Sequence, residues 1–236
     1  MKKTRLGRAF LLLVCFLFLV SCCGTTKIIN NIYGQERSPI HSKSVFLIVK
    51  KDFVSMGEDE LLLISQSTGT GTSVYSSPTH SNILTAGHVC IDMLTEISTV
   101  STFTVLDFHG KSIEAQFLAA DLKSDLCLLQ IKRETFPVQI ADTEPQNGDV
   151  VFYAGYPLGL YMPNNLHHFR GYYSGSDPAD FGMFSLTAAP GSSGSSIVNY
   201  RGEVVGVVSA IPEEFDSLTI GPTLARLKPF LAANSH

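Results

Sequence analysis

The chain is punctuated into short apolar runs that repeat along most of its length. They are Val45–Val49, Leu61–Ser65, Thr72–Tyr75, Asn82–Thr85, Thr102–Leu106, Ile113–Leu118, Leu126–Ile131, Val150–Ala154, Met183–Leu186, Ser196–Asn199 and Val204–Ser209. Each is rich in Val, Ile, Leu, Phe or Thr and too short for a helix. Turn residues separate them, including Gly69-Thr70-Gly71, Ser77-Pro78, His109-Gly110, Asn147-Gly148 and Arg201-Gly202. Runs of this length and spacing predict an all-β chain, a barrel or a sandwich. The only helical pattern lies at the C-terminus, from Pro222 in the first turn, and Pro229 predicts a kink or an early stop there.

The N-terminus has a different character. Lys2, Lys3, Arg5 and Arg8 precede the uncharged run Ala9–Val20. Twelve apolar residues fall short of the about 20 that span a bilayer. A charged start, a short apolar core and small residues after it read as an export signal over residues 1–21. Leu19-Val20-Ser21-Cys22 resembles the lipobox of bacterial lipoprotein precursors. That resemblance implies cleavage before Cys22 and a lipid anchor on its sulfur. The expected location is the bacterial cell envelope, with a plainly secreted or periplasmic chain and an uncleaved anchor as alternatives. Residues 22–43 are polar and read as a tether.

Composition excludes several classes. Apolar residues make up 44% of the 236, enough for a sizeable core and too many for a disordered chain. Without residues 1–21 the chain carries 13 basic against 21 acidic residues, a net −8. That balance argues against a nucleic-acid partner. Beyond the N-terminal segment only Cys90 and Cys127 remain, too few for a disulfide scaffold and wrongly spaced for structural zinc. No metal and no cofactor are expected. His167-His168 has no carboxylate or Cys at ligand spacing and reads as an exposed loop.

Three motifs carry chemistry: Leu84-Thr85-Ala86-Gly87-His88-Val89, Ser124-Asp125-Leu126-Cys127-Leu128-Leu129 and Pro190-Gly191-Ser192-Ser193-Gly194-Ser195. They offer His, Asp and Ser in that order. They resemble the "TAAHC", "D-[IL]-A-L-[LV]" and "G-[DN]-S-G" motifs of chymotrypsin-like serine proteases, and most of all the HtrA-type protease domain. Gly69–Val74 is similar to the "GSGF" strand before the His, although Gly69-x-Gly71 by itself reads as a β-turn and strand start. Val105–Ile131, Gly148–Leu160 and Gly191–Ala210 are similar to further HtrA segments, so the resemblance covers about residues 44–233. It implies two six-stranded antiparallel β-barrels, about 44–140 and 146–211, with a short C-terminal helix and the site between them. No PDZ domain of the HtrA kind is expected after the protease domain.

Those residue types suit acyl transfer. A serine hydroxyl is a weak nucleophile, and a base must take its proton as it attacks. The resemblance gives Ser193 that attack, His88 the base and Asp125 the task of orienting the imidazole. The N–H groups of Gly191 and Ser193 would form the oxyanion hole. Asp121 competes with Asp125, but Asp125 directly opens the apolar strand. Among Ser192, Ser193, Ser195 and Ser196, only Ser193 has Gly at −2 and +1. Ser192 stands where the family has Asp or Asn, which argues against activation by a salt bridge to a new N-terminus. By the same resemblance Thr187 floors the specificity pocket and Ser209, Ala210 and Ile211 wall it. Uncharged Thr187 and bulky Ile211 then predict aliphatic side chains before the scissile bond. Cys90 and Cys127 each follow a triad member by two residues, so the two are expected close together. Both a disulfide and two buried free thiols remain open, with the thiols favoured. The implied partners are protein or peptide substrates and, through Cys22, a membrane. The oligomeric state is not legible. A catalytically silent binding module on the same fold is the competing reading, and a structural lipoprotein with chance motifs a third.

Overall fold

A computed structural model describes residues 37–57, 60–91, 100–212 and 217–234. The expected signal, Cys22 and the tether up to residue 36 lie outside the described residues. The described residues form two six-stranded sheets. The first comprises β1 (Val45–Gly57), β2 (Glu60–Ser76), β3 (Ser81–Thr85), β4 (Val100–Leu106), β5 (Ser112–Asp121) and β6 (Leu126–Ile131). It closes as an antiparallel barrel in the order β1-β2-β3-β6-β5-β4. The second comprises β7 (Val150–Gly155), β8 (His167–Ser176), β9 (Phe181–Ser185), β10 (Ser196–Val198), β11 (Val204–Val207) and β12 (Thr219–Pro222). Its order is β11-β10-β7-β8-β9-β12, and an antiparallel bridge between Gly206 and Thr223 draws its two ends together. The expected all-β pair of six-stranded barrels is thus present, with the second sheet barrel-like.

Two strands sit on the seam between the sheets, which explains why their apolar runs Val45–Val49 and Leu126–Leu129 are unbroken rather than alternating. In β1, Phe46 and Ile48 point into the first barrel, while Val45 and Leu47 pack with Ala154 and Tyr156 of the second sheet's side. In β6, Cys127, Leu129 and Ile131 fill the barrel, and Leu126 and Leu128 join the core of the second sheet. Side chains alternate faces along a strand, so a stretch buried on both faces loses the apolar–polar alternation of a half-exposed strand.

Several elements differ from the sequence expectation. Leu61–Ser65 and Thr72–Tyr75 belong to one continuous strand, β2. Its first part pairs with the end of β1 as a hairpin reaching beyond the barrel, where Leu61, Leu62, Leu63 and Ile64 are 43–55% exposed. Gly69-Thr70-Gly71 lies inside β2 rather than in a turn. A Cβ at Gly71 would come within 2.5 Å of Ile83 and 2.8 Å of Ile48, so glycine here serves close packing. His167 and His168 open β8 and are not in a loop. The second sheet extends past residue 211, because the short strand β12 runs into Pro222, a residue that reads as a helix start.

Two helices complete the described chain, α1 (Gly87–Cys90) and α2 (Leu224–Ala233). Pro222 ends β12 instead of opening α2, and Pro229 lies inside α2 without stopping it. An interior proline removes one helical hydrogen bond. Burial of Leu224, Leu227 and Phe230 against the second sheet holds the helix through that position. Its N-terminus is also served from a distance, since the Ala225 N–H donates to Glu144 Oε1 at 3.1 Å.

Cys90 and Cys127 form a disulfide with Cα atoms 6.5 Å apart, correcting the preference for free thiols. Pairing Thr85 with Cys127 sets β6 beside β3, and α1 then folds Cys90 back over the same barrel end. The bond closes a span of 37 residues, and the loop-closure model puts its worth at about 3–4 kcal/mol. Cys90→Ser with Cys127→Ser should lower folding stability by about that amount. Urea melts of the wild type with and without reductant should differ by a similar margin, and coincident melts would refute the estimate.

Candidate active site

His88 and Asp125 meet at one end of the first barrel. Asp125 Oδ1 accepts the His88 backbone N–H at 2.8 Å, and the ring Nδ1 lies 3.0 and 2.9 Å from Oδ1 and Oδ2. A carboxylate cannot donate, so Nδ1 carries a proton in this contact, and in the neutral ring Nε2 is then the acceptor. The local sequence makes room for this. A Cβ at Gly87 would sit 3.1 Å from Asp125 Oδ1, so glycine leaves the carboxylate a few tenths of an ångström more room. Asp125 itself adopts φ +49°, a left-handed turn that brings its carboxylate under the imidazole.

The Asp125 carboxyl is held below its usual range. Burial pushes its pKa up, but the hydrogen bonds from His88 and Ser209 and the charge of His88 outweigh that. The Ser209 hydroxyl donates to Oδ2, so Asp125 is hydrogen-bonded from both sides. The sequence reading assigns Ser209 only to a pocket wall, and nothing in its own neighbourhood along the chain marks it as a partner of Asp125. Asp121, the competing carboxylate, is turned away and accepts from Ser124 Oγ at 2.7 Å and from the Lys123 N–H at 2.9 Å.

The four serines in and just after the third motif separate by burial. Ser192, Ser195 and Ser196 are at most 2% exposed, while Ser193 is only partly buried. Ser192 lies beside the buried Tyr153 hydroxyl at 3.5 Å, a local contact in place of the expected family Asp or Asn. Burial pushes the Tyr153 pKa up to about 12. Ser195 Oγ points at Gly155, where a Cβ would approach it to 2.3 Å. Gly194, at φ +86°, presses on the first barrel so closely that a Cβ would meet Thr85 Oγ1 at 2.0 Å and the Ala86 nitrogen at 2.9 Å. This docking sets the Ser193 turn beside the segment that carries His88. Ser193 Oγ makes no hydrogen bond to His88 among the described residues. Catalytic hydrogen bonds are often long without substrate.

Gly191, at φ +91°, leaves its N–H and that of Ser193 without an acceptor among the described residues. A Cβ at Gly191 would lie 2.7 Å from the Tyr156 carbonyl oxygen, so only glycine fits there. Thr70 holds this turn to β2. Its N–H donates to the Ser193 carbonyl at 2.8 Å, and its hydroxyl donates to the Gly191 carbonyl at 2.9 Å.

An open cavity of about 430 Å³ lies beside the imidazole, lined by His88, Leu122, Asp125, Phe181, Ser209 and Ala210. Of the residues expected to form the specificity pocket, Ser209 and Ala210 line this cavity. Thr187 and Ile211 do not line this cavity. The Thr187 side chain is exposed, with its carbonyl accepting from Tyr153 OH at 2.6 Å, and Ile211 packs on the core of the second sheet. Leu122 and Phe181 are additions to the expected set. Leu122 precedes Asp125 by three residues and is readable as an apolar neighbour, whereas Phe181 is brought in by β9 from far along the chain. Among the described residues no three of His, Cys, Asp or Glu gather as a metal site.

A His–Asp pair at one end of a six-stranded β-barrel, with a glycine-framed serine carried by a second six-stranded sheet, is the arrangement of a chymotrypsin-like fold. The chain belongs to the trypsin-like peptidase domain family, whose model matches residues 69–207. It is 34% identical over 121 residues to a probable periplasmic serine endoprotease, DegP-like, of Rhizobium meliloti (strain 1021), covering 49% of this chain and 24% of that protein. It is 27% identical over 151 residues to a probable periplasmic serine protease, do/HhoA-like, of Haemophilus influenzae, covering 61% and 31%. The chain therefore spans about a quarter to a third of the length of these relatives. The fold is similar to that in a crystal structure of the serine endoprotease from Yersinia pestis, with TM-score 0.63 and 22% identity over 81% of this chain and 62% of that one.

Thr70 gives a direct test of the site's framing. Thr70→Val keeps the shape and removes the hydroxyl, leaving the Gly191 carbonyl and the Tyr156 N–H without their buried partner. Each such group costs about 1–3 kcal/mol. Thr70→Val should lower the urea-derived stability by that order, and an unchanged midpoint would show that the hydroxyl is dispensable.

Proposed function

We propose that the protein is an exported serine endopeptidase, held to the cell envelope by a lipid on Cys22. Ser193 Oγ attacks the peptide carbonyl carbon while His88 Nε2 takes its proton. Asp125 keeps the imidazole in the Nδ1–H tautomer and stabilises its cation. The carbonyl oxygen, now an oxyanion, accepts hydrogen bonds from the N–H groups of Gly191 and Ser193. His88 then returns the proton to the departing amine, leaving an acyl-enzyme that water hydrolyses by the same route. The observation that carries this reading is the His88–Asp125 pair, bonded through both the ring and the main chain, beside the one partly exposed serine of the third motif. The periplasmic naming of both relatives supports export.

We place the residue before the scissile bond against Thr187 and Ser209–Ile211, with aliphatic side chains preferred. No acid or base in that set would pair with a charged side chain, and an unpaired buried charge costs several kcal/mol. The silent-module reading draws on the unmade Ser193–His88 hydrogen bond, and a fluorophosphonate separates the two, since only an activated serine labels.

The decisive experiment joins that probe to cleavage profiling with a peptide library. Wild type should label at Ser193 and cleave after Ala, Val, Thr, Ile or Leu. Ser193→Ala should lose activity by several orders of magnitude while folding normally. Ser195→Ala should keep most of it, because that hydroxyl is buried. Equal loss from both serines would overturn the choice of nucleophile, and cleavage after Arg, Lys or Glu would overturn the specificity. In cells, fatty-acid labelling that survives Cys22→Ser would refute the anchor.

A further inference from the structure

Arg226 lies on the C-terminal helix, far along the chain from every motif that carries chemistry, yet its guanidinium joins two loops that build the cavity beside His88. Nη1 donates to the Lys123 carbonyl at 2.8 Å and to Ser124 Oγ at 3.3 Å. Nε donates to the Ala179 carbonyl at 2.6 Å. The guanidinium carbon stacks 4.3 Å from the centre of the Phe181 ring. The first loop runs directly into Asp125, whose φ of +49° is a conformation that L side chains rarely adopt. The second loop leads into Phe181, the first residue of β9, which lines the cavity together with Leu122 and Ala210.

We propose that Arg226 is a positioning residue, which holds the left-handed turn into Asp125 and the Phe181 wall of an apolar substrate subsite in one register. The inference rests on the reading of His88 and Asp125 as base and orienting carboxylate. A left-handed backbone persists only where its surroundings over-determine it. The turn ahead of Asp125 has two such restraints: the Asp121 carboxylate takes the Lys123 N–H and the Ser124 hydroxyl, and Arg226 takes the Lys123 carbonyl. Of these two restraints, only Arg226 extends from the turn to Phe181. The loop before Phe181 is fastened a second time at the entry to the same helix, by Thr223, whose N–H and hydroxyl donate to the Asp180 carbonyl at 3.2 and 3.0 Å. The planar fork of arginine makes several directed bonds while its face stacks on an aromatic ring, which the point charge of lysine cannot do. The cavity it frames is walled by Leu122, Phe181 and Ala210 and has room for an aliphatic or aromatic substrate side chain.

The test compares wild type with Arg226→Lys and Arg226→Met, the latter keeping bulk against Phe181 without donors. Peptides scanned with Leu or Gly around the scissile bond locate the position that the cavity reads. A fitted apolar pocket discriminates by about 10–200-fold. Both variants should lose most of that ratio at this position alone, chiefly through KM, and kcat should fall on every peptide. The low-field Nδ1–H proton resonance of His88 reads the Asp125 contact without turnover, and should shift or broaden in both variants. A variant that melts lower but keeps the Leu/Gly ratio and the His88 resonance would overturn the proposal, leaving Arg226 a purely structural tie. If wild type does not label with fluorophosphonate, the peptidase reading fails and the resonance alone decides: a shift upholds the positioning role and an unchanged signal rejects it.

Discussion

A single buried threonine connects the two halves of this site. Thr70 uses every polar atom it has: its N–H and hydroxyl go to the Ser193 and Gly191 carbonyls, its hydroxyl also accepts the Tyr156 N–H at 3.1 Å, and its carbonyl accepts the Thr85 hydroxyl at 2.8 Å. Thr70 belongs to the first barrel, Tyr156 to the end of β7, and Gly191 and Ser193 to the loop before β10. With that network in place, the serine turn has one depth and one orientation relative to β3 and the His88 segment. Buried polar groups are costly unless all are paired, so a fully satisfied network selects one arrangement over its near neighbours.

The seam strands provide the rigid frame around it. β1 and β6 each present one face to the barrel interior and the other toward the second sheet's side, and Asp125 stands immediately before β6. The disulfide from Cys127 of β6 to Cys90 of α1 joins the strand that follows Asp125 to the helix that holds His88. Two different linkages therefore tie the His and Asp segments, one covalent and one through the carboxylate. The glycines at 87, 191 and 194 contribute by what they lack, since a Cβ at each would press on Asp125, Tyr156 or Thr85.

The long β1–β2 hairpin stands apart from this economy of contacts. Four consecutive apolar residues are exposed there because the strands run beyond the barrel they help to close. Their local pattern looks the same as that of a buried strand such as β6, and this is why the run at Leu61–Ser65 is recognisable as a strand but not as a protruding one. A run of apolar residues specifies extended backbone. Whether anything covers it depends on the length of its neighbours.

Much of the architecture is legible in the amino-acid sequence. Short apolar runs between turn residues mark most strands, and the order of the His88, Asp125 and Ser193 motifs points to the two-barrel arrangement, because each of these signals is local or depends only on order. The strands β8 and β12 escape that reading, as do the passage of β2 through Gly69-Thr70-Gly71 and the persistence of α2 through Pro229. At the last two, packing overrides a local preference: glycine is there for a close approach, and proline is outweighed by buried Leu227 and Phe230. Within the site, the sequence by itself determines the residue types that chemistry demands. Only the tertiary structure decides that Ser209 engages the Asp125 carboxylate while Asp121 turns away, that Cys90 bonds Cys127, and that Thr70, Phe181 and Arg226 frame the cavity. These contacts join residues up to more than a hundred positions apart. They depend on distances set by strand register and sheet packing, which no local pattern of side chains records.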